Sequence, residues 1–143
     1  MEEVKKQNRQ KRGQVSETEI KQHEGSPIEE LAKLLNSSNP KSRTIGAILM
    51  GNKKATEMVP ELCKHLQTEK SLYSRIAVSE ALGKMGEPAV KPLIQLLGKI
   101  GNNQEKELPK KYFAKSSYPL VRDLAARTLI KIGKSAIPYL IKI

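Results

Sequence analysis

The residues of this chain that could do chemistry are few and scattered. There are two histidines, His23 and His65, one cysteine, Cys63, and one aspartate, Asp123. His23 stands beside Glu24, and an imidazole next to a carboxylate can ligate a metal or relay a proton. A metal centre needs several such side chains at helical or loop spacing. Here one pair occurs, inside a polar segment. His65 follows Lys64 near the end of an amphipathic stretch and reads as a solvated surface histidine. Cys63 falls on the apolar face of that stretch and reads as a buried core thiol. The only aspartate for a Ser–His–Asp arrangement, Asp123, lies inside a helical pattern. Gly83-Lys-Met-Gly86 lacks the preceding strand and the spaced Gly-Lys-Ser/Thr of a phosphate loop. The expectation is a protein that is not an enzyme and holds no cofactor.

Binding chemistry is better represented. The chain has 143 residues, with 26 Lys and Arg against 15 Asp and Glu, a net charge of +11. Residues 119–143 hold Arg122, Arg127, Lys131, Lys134 and Lys142 against Asp123 alone. Such an excess favours acidic protein surfaces or nucleic acid. The segment from Lys99 to Tyr118 interleaves Tyr112 and Phe113, the only phenylalanine, with Lys110, Lys111 and Lys115. Aromatics that stack and lysines that neutralise phosphate suit single-stranded nucleic acid. The same traits suit a protein partner, or a loop folded back over a joint between units.

The elements that would carry these residues repeat. Arg43, Arg75 and Arg122 each stand seven residues before Met50, Leu82 and Leu129, and Gly51, Gly83 and Ile130 follow. Gly86 and Gly133 come eleven residues after their arginines, with Lys54 at that position in the first unit. Val59, Leu62, Cys63 and Leu66 match Val90, Leu93, Ile94 and Leu97, and Ile137, Leu140 and Ile141 begin a third copy. Both halves follow the i, i+3, i+4, i+7 spacing of an amphipathic helix. Gly86 and Gly133 fall where a first helix should stop, and Pro88 where a second should start. No stretch alternates with period two, so the chain is expected to be all-α.

The run Val/Ser-Arg-x-x-Ala-x-x-x-Leu-Gly-x-x-Gly-x-x-Ala-Val/Ile-x-x-Leu-Ile resembles the HEAT-repeat family, specifically its short-period branch related to the phycobilisome-lyase type. It covers roughly residues 38–143, with Pro40 and Pro119 ahead of the arginines. The resemblance implies a short right-handed α-solenoid of about three helix pairs. It also implies that the repeat arginines pack along the stack and hydrogen-bond neighbouring helix ends. In this family the second helices line the concave side. Their non-core positions are Lys64, Gln95 and Lys142, with Lys91 and Lys99 on adjoining turns. One HEAT-repeat enzyme class, resembling deoxyhypusine hydroxylase, binds di-iron through His-Glu pairs in its first helices. The matching positions here are Ile45-Gly46, Ala77-Val78 and Leu124-Ala125. The short-period branch includes bilin-attaching lyases, a third reading that rests on family analogy alone.

Residues 1–25 hold few aliphatics, Val4, Val15 and Ile20, and no aromatics. They are expected to form a flexible polar arm, with a short helix allowed at Ser16 by its capping-box spacing to Glu19. Residues 26–143 are expected to form the repeat domain, opened by a capping helix from Ser26-Pro27 and carrying an inserted loop at about 99–118. No run approaches a membrane span, the arm is neither a secretory nor a transit signal, and one cysteine allows no internal disulfide. The chain is therefore expected in the cytoplasm, with nothing that sets an oligomeric state. Its expected role is a protein-binding module or scaffold whose partner has an acidic surface. Lys64, Lys91, Gln95, Lys99, Lys110, Lys111, Tyr112, Phe113 and Lys142 are the candidate contacts. Nucleic-acid binding through the basic C-terminal repeat and the insertion is the alternative.

Overall fold

The computed structural model describes residues 1–97 and 121–141, with side chains from 124 onward in the second stretch. Every regular element among them is helical: α1 Glu2–Lys11, α2 Glu17–Lys21, α3 Ile28–Leu35, α4 Pro40–Asn52, α5 Val59–Thr68, α6 Leu72–Met85, α7 Val90–Leu96, α8 Val121–Ile132 and α9 Ile137–Ile141. Short 3-10 turns at Thr56–Met58, Glu87–Ala89 and Gly133–Ala136 join α4 to α5, α6 to α7 and α8 to α9. The insertion, with Lys99, Lys110, Lys111, Tyr112 and Phe113, lies outside the described residues, as does Lys142.

The arrangement is the solenoid the repeat predicts. First helices stack in the order α4, α6, α8, and second helices α3, α5 and α7 each pack on the first helix of the following unit. The amphipathic spacing explains the core. Leu31, Leu35, Leu62, Leu66, Val90 and Leu93 of the second helices are fully buried, against Leu49, Met50, Val78 and Leu82 of the first. The middle helix α6 is covered from both sides, and buries Ser74, Arg75 and Ser79 along with its aliphatics. A buried hydroxyl needs a partner. Thr44 Oγ1 and Ser74 Oγ lie 2.8 Å apart across α4 and α6, and Ser79 Oγ and Thr128 Oγ1 2.9 Å apart across α6 and α8.

Turn chemistry sets the pairs. Gly86 and Gly133 adopt φ of 71° and 76°, the left-handed region where glycine has no steric cost. Lys54, at the aligned position of the first unit, is forced to φ 51°. At the start of α4, Asn39 accepts the N–H of Lys41 at 2.9 Å and Pro40 takes the first helical position, whose N–H would be unpaired in any case. The start of α3 differs from its sequence pattern. Pro27 rather than Ser26 stands at the cap, its carbonyl accepts from Glu30 and Leu31, and no side chain caps the helix.

The first 25 residues, expected as a flexible arm, carry α1 and α2, and both contact α4. The Ser16–Glu19 capping box is present, with Glu19 N donating to Ser16 Oγ at 3.2 Å and Ser16 N to Glu19 Oε2 at 2.8 Å. Neither helix contains a buried residue. Val15 and Ile20 nevertheless pack, half-buried, against the core, and polar contacts join them. Glu19 pairs with Lys41, and Tyr73 N donates to the Arg12 carbonyl at 3.0 Å. Gly13 sits where a β-carbon would meet Ser74 Oγ and Thr44 Oγ1 at 2.7 Å. The low apolar content did not announce an attachment in which two aliphatics are supplemented by backbone and charge contacts.

Candidate partner-binding surface

Two of the three repeat arginines, Arg43 and Arg75, bind helix ends within the stack. Arg75, 2% exposed, donates from Nε and a terminal nitrogen to the Glu69 carbonyl at 3.1 and 2.9 Å. Arg43 donates to the Ser37 carbonyl at 3.0 Å. Each acceptor lies six residues before its arginine, just past the end of a second helix, where the last carbonyls lack intrahelical donors. Arg43 also grips the buried Glu69 carboxylate with two nitrogens at 2.7 and 3.2 Å, tying one unit to the next. Glu69 has no repeat-pattern signal. Its position at the joint between helix pairs is what places it, and only the fold displays that. The side chain of Arg122 lies outside those described.

Among the candidate contacts, Lys64, Lys91 and Gln95 are exposed. Val59, Leu62 and Leu66 turn into the core from α5, and Val90 and Leu93 from α7. Helical geometry then leaves Pro60, Lys64 and Thr68 outward on α5, with Lys91 and Gln95 outward on the adjoining α7. The Lys91 ammonium stands 5.5 Å from the centre of the Tyr139 ring, an arrangement that attracts the cation to the ring face. The Tyr139 hydroxyl in turn donates to Glu87 at 2.7 Å.

The structure adds Lys33 to this row. Ile28, Leu31 and Leu35 align with Val59, Leu62 and Leu66, which places Lys33 in register with Lys64 and Gln95. It is exposed and pairs with Glu30 at 3.4 Å. Extending the repeat alignment back into the capping helix would have found it.

His65 is half-buried rather than solvated. Its Nε2 lies 3.2 Å from Asn36 Oδ1, joining α5 to α3. Burial pushes the imidazole below its ordinary range, opposed by the nearby Glu69 and Glu61. Cys63 is buried as expected, and the loss of hydration raises its thiol to about 11, where the reactive thiolate is scarce at neutral pH. No three His, Cys, Asp or Glu side chains converge to hold a metal among the described residues. No helix among them is long and apolar enough to cross a membrane.

A sequence profile for HEAT repeats matches residues 28–100. The chain belongs to the HEAT-repeat family. The match starts at Ile28, so the capping helix α3 counts as repeat material and not as an unrelated lid. No curated protein and no solved structure matches the chain at significant similarity. HEAT repeats as a family mediate protein–protein contact and scaffolding, and they do so through the helix surfaces that the core leaves over.

Proposed function

We propose that this HEAT-repeat protein is a non-enzymatic interaction module whose second helices contact an acidic protein segment. One observation carries the reading. Lys64, Lys91 and Gln95 are exposed on adjoining helices whose opposite faces carry buried core residues. Such a surface is polar and cationic, with a rigid backing, and suits an acidic helix or extended strand better than an apolar small molecule. A lone buried thiol and the absence of any disulfide fit a reducing compartment, and we assign the protein to the cytoplasm.

The test is affinity capture with the purified full chain, with and without nuclease, followed by measured binding of the captured partner. Lys64→Glu combined with Lys91→Glu should weaken that partner at least tenfold. Full affinity in the double variant would reject this surface. If capture instead requires nucleic acid, the protein is a polyanion binder. Its affinity should then fall with salt at a log–log slope of about −0.7 per single-strand phosphate contacted.

A further inference from the structure

Residues 12–20 lie on a shaped seat at the N-terminal ends of α4 and α6. The seat reads main chain first. Ser71 precedes α6 without capping it through its side chain, and the Tyr73 N–H, which has no acceptor within the helix, donates to the Arg12 carbonyl at 3.0 Å. Gly13 follows with φ of 95° and is buried. A β-carbon there would meet Ser74 Oγ and Thr44 Oγ1 at 2.7 Å and the Pro40 carbonyl oxygen at 3.2 Å. Glycine alone satisfies both the backbone angle and the space. Two side-chain sites complete the seat. Val15 borders a groove walled by Ile48, Tyr73, Ile76 and Ala77, and Glu19 pairs with Lys41.

The arm holds this seat loosely. The groove beside Val15 measures about 160 Å³, and Ile76 in its wall is still 43% exposed, so valine does not close it. A longer aliphatic would take more apolar surface out of water there. Neither α1 nor α2 buries a side chain, Val15 and Ile20 are half-buried, and the Glu19–Lys41 pair is partly exposed. A segment with so few buried contacts opens at a lower free energy than the core.

We infer that this edge of α4 and α6 is a docking site for a peptide segment, occupied in cis by residues 12–20 and open to an outside segment of the same chemistry. That segment has a glycine, an aliphatic residue larger than valine two positions on, and a carboxylate six positions on, as Gly13, Val15 and Glu19 are spaced here. The main-chain hydrogen bond supplies recognition of any backbone, and the glycine seat, the groove and Lys41 supply selectivity. The tethered copy competes at an effective concentration of about 1 mM, which keeps the site shut until a better-fitting segment arrives. The site lies on the first helices and does not depend on the second-helix row.

Amide hydrogen exchange on the full chain tests this, read at Tyr73, with Val78 and Leu82 in the buried part of α6 as references. Gly13→Val alters the arm and leaves the seat intact. It should speed exchange at Tyr73 about tenfold or more and leave Val78 and Leu82 unchanged. A peptide with the sequence of residues 9–22, added at about 1 mM to match the tethered copy, should restore the Tyr73 protection in that variant. The same peptide carrying Val15→Leu should restore it at lower concentration, and one carrying Gly13→Val should not restore it. Should the Gly13→Val chain fail to fold, Glu19→Lys, also in the arm, sets like charges together at Lys41 and gives the same readout. Unchanged exchange at Tyr73 in both arm variants would overturn the proposal. So would equal acceleration at Val78 and Leu82, because the arm would then be an integral part of the stack. Failure of the peptide to protect Tyr73, protection by the Gly13→Val peptide, or a leucine peptide no better than the parent sequence would each overturn it as well.

Discussion

Gly51 and Ala81 lie so close that a β-carbon on the glycine would stand 2.8 Å from the alanine Cα. This approach lets α4 and α6 bury the Thr44–Ser74 pair between them, and it makes two chemically identical substitutions opposite in sign. Gly51→Ala forces the helices apart and should destabilise by about 1–3 kcal/mol, as overpacking does. Gly83→Ala meets Lys131 only at ordinary contact distance, 3.8 Å. It should stabilise by about 0.5–1 kcal/mol through helix propensity. Urea denaturation of the two variants decides the matter. Shifts of the same sign would contradict the helix spacing described above.

Arg43 and Glu69 couple two units through a pair that is largely out of water. Removing one member takes away a two-nitrogen grip on a buried carboxylate. Glu69→Ala should cost about 3 kcal/mol. In a double-mutant cycle Arg43→Ala and Glu69→Ala should be strongly non-additive. Simple additivity would mean that the ion pair contributes little beyond the carbonyl contacts.

Leu93 is fully buried and Lys91, two residues away, is exposed. Leu93→Ala should destabilise by about 2–5 kcal/mol through the cavity it leaves. Lys91→Ala should cost about 1 kcal/mol at most, the value of an exposed cation–π contact. Similar losses from both would put α7 on the wrong face.

Lys54 occupies the left-handed turn that glycine fills in the other two units. Lys54→Gly should relieve a conformational cost of about 1 kcal/mol and raise the thermal midpoint. An unchanged or lowered midpoint would show that the turn carries no strain.

His65 gives the stability a pH dependence. Burial lowers its folded value below the ordinary 6.5. The folded state therefore binds fewer protons there than the unfolded state. The contribution is fully present above about pH 6.5 and is lost as pH falls through the folded value. His65→Gln should flatten the fall in urea midpoint between neutral and mildly acidic pH. A variant with the same acid limb as the parent chain would remove His65 as the cause.

The sequence by itself determined the helix pairs, the turns at Gly86 and Gly133, and the faces that hold Leu31, Leu62 and Leu93. Each of these is a local property. Period, capping and turn conformation act over one or two helical turns, and repetition prints them several times. It also marked the solvent side of α5 and α7, since whatever the apolar stripe leaves over must face water.

Tertiary structure alone decided what happens between units. The buried Glu69 carboxylate lies 26 residues from the arginine it pairs with. The seat of Gly13 against Ser74 and Thr44 uses backbone and hydroxyl groups that hydrophobic patterning does not register. Glycine at 51 and isoleucine at 130 occupy the same place in the repeat. Only the stack reveals that one is pressed against a neighbouring helix while the other stands in solvent beside an open groove. Close approach and exposure belong to pairs of elements distant in the chain, and no local pattern encodes their spacing.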